Sequence, residues 1–274
     1  MAGHDVVKYA LDTFEDTGPS LSCTHDANAW PADFYAGLPA PRGDERVVLW
    51  VQNSLPVPIP AGGIALNLMG DERVVPFDRS VAPFATVALD VAALLPAARW
   101  PQQIEITAGK HIVRPRYEVT RTDAAGAKRR RIAHPNVERV DLKPNPDLSK
   151  LALLGKGFIL TAPILPVEEW RSLVLPTPMA RSQEVLPIAA AAYDPQGREI
   201  GRKSFGRLAR QESVALDLDE LAGGTSGFGH VELTYDWSAG AEADGWLHAL
   251  SATSIAAAAT LPNQASARIC STPS

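Results

Sequence analysis

Apolar residues recur at every second position in five stretches of the first half: RVVLWVQ (46–52), GIALNLM (63–69), ATVALDV (85–91), QIEIT (103–107) and HIVRPRYEV (111–119). A period of two puts alternate side chains on opposite faces of an extended chain, so each stretch reads as a strand with one face turned to a core. The segments PAGG, MGDE and TAGK that bound them are turn formers. Residues 45–121 are therefore expected to form one antiparallel module.

The second half repeats the pattern in GFILTAPIL (157–165), VLPIAAAAYD (185–194), REIGRKSF (198–205), ESVALDL (212–218), HVELTYDW (230–237) and GWLHAL (245–250). YDPQGRE reads as the turn between two of these strands. Helical spacing is confined to two short pieces, DVAALL (90–95) and LDELAG (218–223). Both belong to an internal repeat: VALDVAALLP (87–96) parallels VALDLDELAG (214–223), and IEIT (104–107) parallels VELT (231–234) at the same offset of 127 residues. Each copy has a strand, a one-turn corner and a returning strand, and a repeat of this length points to tandem domains.

That corner resembles the one between two late strands of immunoglobulin-like and fibronectin-type-III-like sandwiches, over roughly 45–121 and 157–250. The resemblance implies an all-β chain of two tandem antiparallel β-sandwich modules with short helical corners. Around them we expect a lead segment (1–44) packed on the first module (45–121), a charged, Pro-containing linker (122–150) with an edge strand at 137–142, a second module (151–250) and a tail (251–274). After Leu250 the alternation gives way to Ala, Ser and Thr. The tail is thus expected to be disordered, as chain ends often are. A sharper expectation is that it is read out of frame, because its codons can be chosen so that a neighbouring frame continues as a strand.

Composition adds limits. With 46% hydrophobic and 21% charged residues the chain is ordinary for a globular protein, and 23 prolines beside 20 glycines favour short strands and turns. A net charge of -5 gives no reason to expect specific nucleic-acid binding. The N-terminal residues lack the pattern of a secretory signal, so a cytoplasmic location is expected unless the true start lies upstream. Two cysteines, Cys23 and Cys270, cannot build a disulfide framework or a zinc cluster.

No catalytic motif stands out: there is no G-x-S-x-G, H-E-x-x-H or complete phosphate loop, and LGKGF (154–158) reads as a turn. Cys23, His25 and Asp26 offer metal donors, but three donors within four residues fit poorly around one ion, so a loop role is preferred. Asp217, Asp219 and Glu220 could suggest calcium, yet Asp90 alone stands at the equivalent corner, and Asp90 and Asp217 read better as caps of the short helical turns. No cofactor or metal is expected. The basic group Arg114, Arg116, Arg121, Lys128, Arg129, Arg130 and Arg131, with Tyr117 for stacking, is a candidate for an anionic polymer, against the ordinary reading of a solvated hairpin end. Trp237, Trp246 and His248 are candidates for a sugar platform, against ordinary packing roles. The expected function is a non-enzymatic binding or structural protein engaging a protein or polymer partner, with a carbohydrate-active protein, either a sugar-binding accessory domain or a sandwich-fold glycoside hydrolase, as the alternative.

Overall fold

The computed structural model describes residues 9–14, 21–26, 31–122, 126–150, 160–178, 180–223, 227–240, 243, 247–255 and 267–268, with side chains within 31–122, 126–150, 161–178, 180–223, 227–240, 243 and 247–250. The chain divides into two compact units, 1–138 and 139–274. Both are built almost wholly of antiparallel strands in a sandwich-like fold, as the alternation predicts.

Unit 1 opens with a hairpin, β1 (Tyr9–Phe14) and β2 (Leu21–Asp26). Next come β3 (Phe34–Pro39), β4 (Glu45–Gln52), β5 (Ala65–Leu68), β6 (Val75–Pro76) and β7 (Thr86–Asp90), then the one-turn helix α1 (Val91–Leu94). The unit closes with β8 (Gln103–Thr107), β9 (Arg116–Thr122), β10 (Lys128–Ala133) and β11 (Asn136–Val137). One sheet runs β10-β9-β4-β7 and the other β11-β3-β8-β5-β6. Both supply buried residues: Val47, Leu49, Val51, Tyr117 and Val119 from the first, Tyr35, Leu38, Leu66, Ile104 and Ile106 from the second. Each such side chain taken out of water contributes about 1.5–3 kcal/mol, which is what holds so turn-rich a chain in one register.

Unit 2 has β12 (Leu160–Ile164), β13 (Trp170–Pro178), β14 (Val185–Tyr193), β15 (Glu199–Ala209), β16 (Leu216–Asp217), the one-turn helix α2 (Leu218–Leu221), β17 (Gly229–Tyr235), β18 (Leu247–Ile255) and β19 (Ala267–Arg268). Its sheets run β12-β17-β14-β15 and β16-β13-β18-β19. Leu186, Ile188, Val231 and Leu233 from one sheet cluster with Val174, Leu216, Leu247 and Ala249 from the other. The core of this unit therefore lies between the two sheets.

The repeat extends beyond the corner. The order β3-β8-β5-β6 reappears as β12-β17-β14-β15, and β10-β9-β4-β7 as β19-β18-β13-β16. The immunoglobulin arrangement groups its first, second and fifth strands in one sheet and its third, sixth and seventh in the other. Counting from β3, the central pairs β4·β7 and β5·β8 follow it, but β3 flanks β8 and β9 flanks β4. The outermost strands have exchanged sheets, in unit 2 as in unit 1.

Three expected boundaries shift. Residues 128–133 and 136–137 are strand, not linker: β10 pairs with β9, and β11 pairs with β3 at Asn136↔Ala36 and Val137↔Tyr35. The Lys-Arg run of β10 hides its period, because an arginine stem packs like an apolar residue while its head group reads as polar. Residues 34–39 of the expected lead segment are likewise a strand within a sheet. Finally, β18 does not stop at Leu250 but pairs with β13 as far as Trp170↔Ile255 and meets β19 at Thr253↔Arg268. Ala, Ser and Thr keep the full backbone ladder even where bulky alternation ceases. The rest of the tail, 256–266 and 269–274, lies outside the described residues.

Candidate binding site

Both corners are made by the same contacts. The Asp90 carboxylate accepts from the Ala92 backbone N–H at 3.1 Å and from Arg46 Nε at 2.7 Å. Asp217 accepts from the N–H groups of Asp219 and Glu220 at 3.0 and 3.4 Å, and from Arg171 Nε at 2.6 Å. Each aspartate is an N-cap, satisfying amides that a helix start leaves open. Both Asp217 oxygens are thus engaged in the cap and the arginine tie. Among the described residues no three His, Cys, Asp or Glu side chains stand close enough to hold a metal ion.

The basic group does not converge. Alternation along the β9–β10 hairpin turns Arg131 and Tyr117 inward, while Arg116, Lys128 and Arg130 share the outer face. Arg121 Nε donates to Asp44 at 2.5 Å, Arg131 Nη2 to the buried Glu45 at 2.9 Å, and Arg130 lies 3.6 Å from Glu118. Arg116 Nη1 donates to the Arg114 carbonyl at 3.2 Å. Arg129 stands opposite Arg121 on the hairpin and is half-buried. Tyr117 is fully buried, and burial pushes its hydroxyl up from the ordinary value, so it is not available for stacking on a surface ligand.

The sugar-platform candidates also divide. Trp237 is half-buried against the core of unit 2, stacked on Tyr235 with ring centroids 4.9 Å apart. His248 is buried on β18, opposite Thr177. Trp246 lies outside the described residues, as does LGKGF (154–158). Cys23, His25 and Asp26 lie on β2, where only the backbone is described. An open cleft of about 540 Å³ in unit 2 is lined by Pro144, Pro146, Ser182, Glu184 and Arg207 among others, and Glu184 is the one carboxylate among those described.

Among the described residues one aromatic side chain within a strand is exposed, and no sequence motif marks it. Trp50 is 39% exposed in the middle of β4, between the buried Leu49 and Val51. It stands opposite Arg116 on one side and Ala88 on the other. Arg46, Val48 and Gln52 share its face by alternation, as do Glu118 and Thr120 of β9 and Arg130 of β10. Thr120 Oγ1 donates to Glu118 at 2.9 Å. Among the described residues this face carries Arg46, Arg116, Lys128 and Arg130 against Glu118 and Asp90. The signal is present in RVVLWVQ: the same period that buries Val47, Leu49 and Val51 sends Trp50 outward.

No family description and no curated protein matches the chain. Solved structures matched at a distance include the secreted serine protease VesC from Vibrio cholerae, at 13% identity and a TM-score of 0.19, covering 78% of this chain and 47% of that one. Another is the Parabacteroides merdae β-glucuronidase with glycerol in its active site, at 10% identity and a TM-score of 0.17, covering 86% of this chain and 26% of that one. The chain thus spans about half the length of the first and about a quarter of the second. TM-scores this low say nothing about the activity of this chain.

Proposed function

We propose that the protein is a non-enzymatic binding protein that engages an acidic polysaccharide through the outer face of the β10-β9-β4-β7 sheet. The observation that carries this reading is Trp50, a residue held 39% exposed on an outer sheet face with Arg116 directly across the ladder. A large exposed ring on an ordered strand loses little freedom on binding and offers an apolar surface to the C–H face of a sugar. The cationic side chains around it complement carboxylate or sulfate groups, and long-range attraction from such a patch falls with added salt.

A sheet face holds a polymer without enclosing it, so nothing in this reading requires bond cleavage. The glycoside-hydrolase alternative calls for two carboxylates facing one cleft beside a tryptophan. The described lining of the unit 2 cleft offers Glu184 alone. Passing the protein over immobilised heparin and immobilised polygalacturonate at low salt, followed by a salt gradient, tests the proposal. Retention that salt reverses is expected. Flow-through on both resins at low salt removes it, and capture by a protein partner that is indifferent to Trp50→Ala would replace it with a different interface.

A further inference from the structure

At one end of the unit 1 core, three buried donors around Glu45 make no hydrogen bond among the described residues: Nε of Arg42, Nε of Arg131 and the hydroxyl of Tyr117. Tyr117 is 0% exposed and Arg131 9%. Glu45 is already engaged, accepting from Arg131 Nη2 at 2.9 Å and from the Arg42 backbone N–H at 3.3 Å, with Arg42 Nε 4.0 Å away. The Arg42 guanidinium lies 4.2 Å from the centroid of the Trp100 ring, and its side chain is 29% exposed, leaving a way in from solvent. The neighbouring Arg121–Asp44 pair is balanced.

Among the described residues, two guanidinia against one carboxylate leave a surplus positive charge, and every unsatisfied group in the set donates. A guanidinium Nε can only donate, and burial keeps the Tyr117 hydroxyl protonated. A water molecule accepts at most two such bonds and must place its own two hydrogens, whereas an anion only accepts and also balances the charge. We infer that Arg42, Arg131 and Tyr117 form a binding site for a small monovalent anion, either a halide or the carboxylate of a small acid. The site faces inward, away from the Trp50 surface.

Chloride is the probe. The ³⁵Cl linewidth of a sodium chloride solution is measured with and without the full-length protein, then during titration with sodium acetate at constant ionic strength. Excess broadening that saturates with chloride is expected. Displacement by acetate identifies a carboxylate site, and failure of acetate to displace identifies a halide site. Tyr117→Phe keeps the buried ring and removes only the hydroxyl, so an affinity loss of about five-fold or more is expected with folding intact by circular dichroism. Arg42→Lys, which keeps the charge and removes Nε, should weaken binding in the same way. No saturable broadening in the wild type, or equal affinity in both folded variants, overturns the inference.

Discussion

Arg171 Nε donates to the Asp217 carboxylate at 2.6 Å, two residues along β13 from the Leu173↔Asp217 ladder pair. Arg46 stands in the same relation to Asp90, two residues along β4 from the Val48↔Asp90 pair. One aspartate thus ends a strand, caps a one-turn helix and is tied to the strand beside it, in both units. A helix of four residues cannot sustain itself, because it has few bonds to repay its nucleation. The cap and the tie hold the chain at the point where it leaves one sheet for the other.

Replacing Asp217 by Ala removes both contacts and should destabilise the protein by about 1–2 kcal/mol, most of it from the cap. Asp217→Asn, which retains a capping oxygen, should recover most of that loss. The Arg171 side chain is 56% exposed, so Arg171→Ala should cost under about 1 kcal/mol. Urea unfolding of the three variants ranks them, and an Arg171→Ala loss larger than that of Asp217→Ala would reverse the assignment.

Asp219 gives the same corner a pH dependence. Burial, and then the charge of Asp217, raise its carboxyl from 3.8 to about 6, against the opposing Ser172 hydrogen bond and Arg171. The folded state therefore favours neutral Asp219. That stabilisation is complete below about pH 4 and is lost as the pH rises through 6. Asp219→Asn should raise stability by about 1 kcal/mol at pH 7.5, allowing for solvent screening of a partly exposed group, and leave it unchanged at pH 4. Melting curves at the two pH values check both halves.

Gly201 on β15 is fixed by the end of α2. A Cβ there would lie 1.8 Å from the Leu221 carbonyl oxygen, a backbone atom that cannot swing aside. Gly201→Ala should cost about 2–3 kcal/mol by forcing the corner off the sheet. Gly197→Ala separates this contact from backbone strain, because Gly197 has a φ of +75° and a Cβ added there would meet no described atom within 4 Å. Its smaller loss should reflect conformation alone.

Glu45 has a side chain only 2% exposed between Arg131 and Arg42. Removing it leaves the buried Arg131 and the partly exposed Arg42 without their carboxylate, and breaking a buried pair in this way costs about 3–5 kcal/mol. Glu45→Ala should therefore show the largest loss among these variants in the same urea series.

Where one face of a strand is buried and the other wet, the sequence is transparent. RVVLWVQ and HVELTYDW form β4 and β17, and the duplicated aspartates are caps. It is opaque where side-chain character and position part company. The run Lys128–Arg131 looks like a solvated loop, yet alternation buries Arg131 on Glu45. Tyr117 looks like a stacking residue and is wholly interior. The exchange of outermost strands between sheets is a long-range choice that no local period encodes. Trp50 is legible in principle, but its place between valines and leucine disguises an outward-facing residue as part of the core.

The most direct measurement is the binding isotherm of wild type and Trp50→Ala on an acidic polysaccharide such as polygalacturonate at low salt. Trp50 sits on the face of β4 opposite the buried Leu49 and Val51, so the variant should remain folded, and loss of ring stacking predicts affinity at least ten-fold weaker, about 1.4 kcal/mol. Equal affinity in a folded Trp50→Ala variant would contradict the claim that this sheet face is where the protein binds.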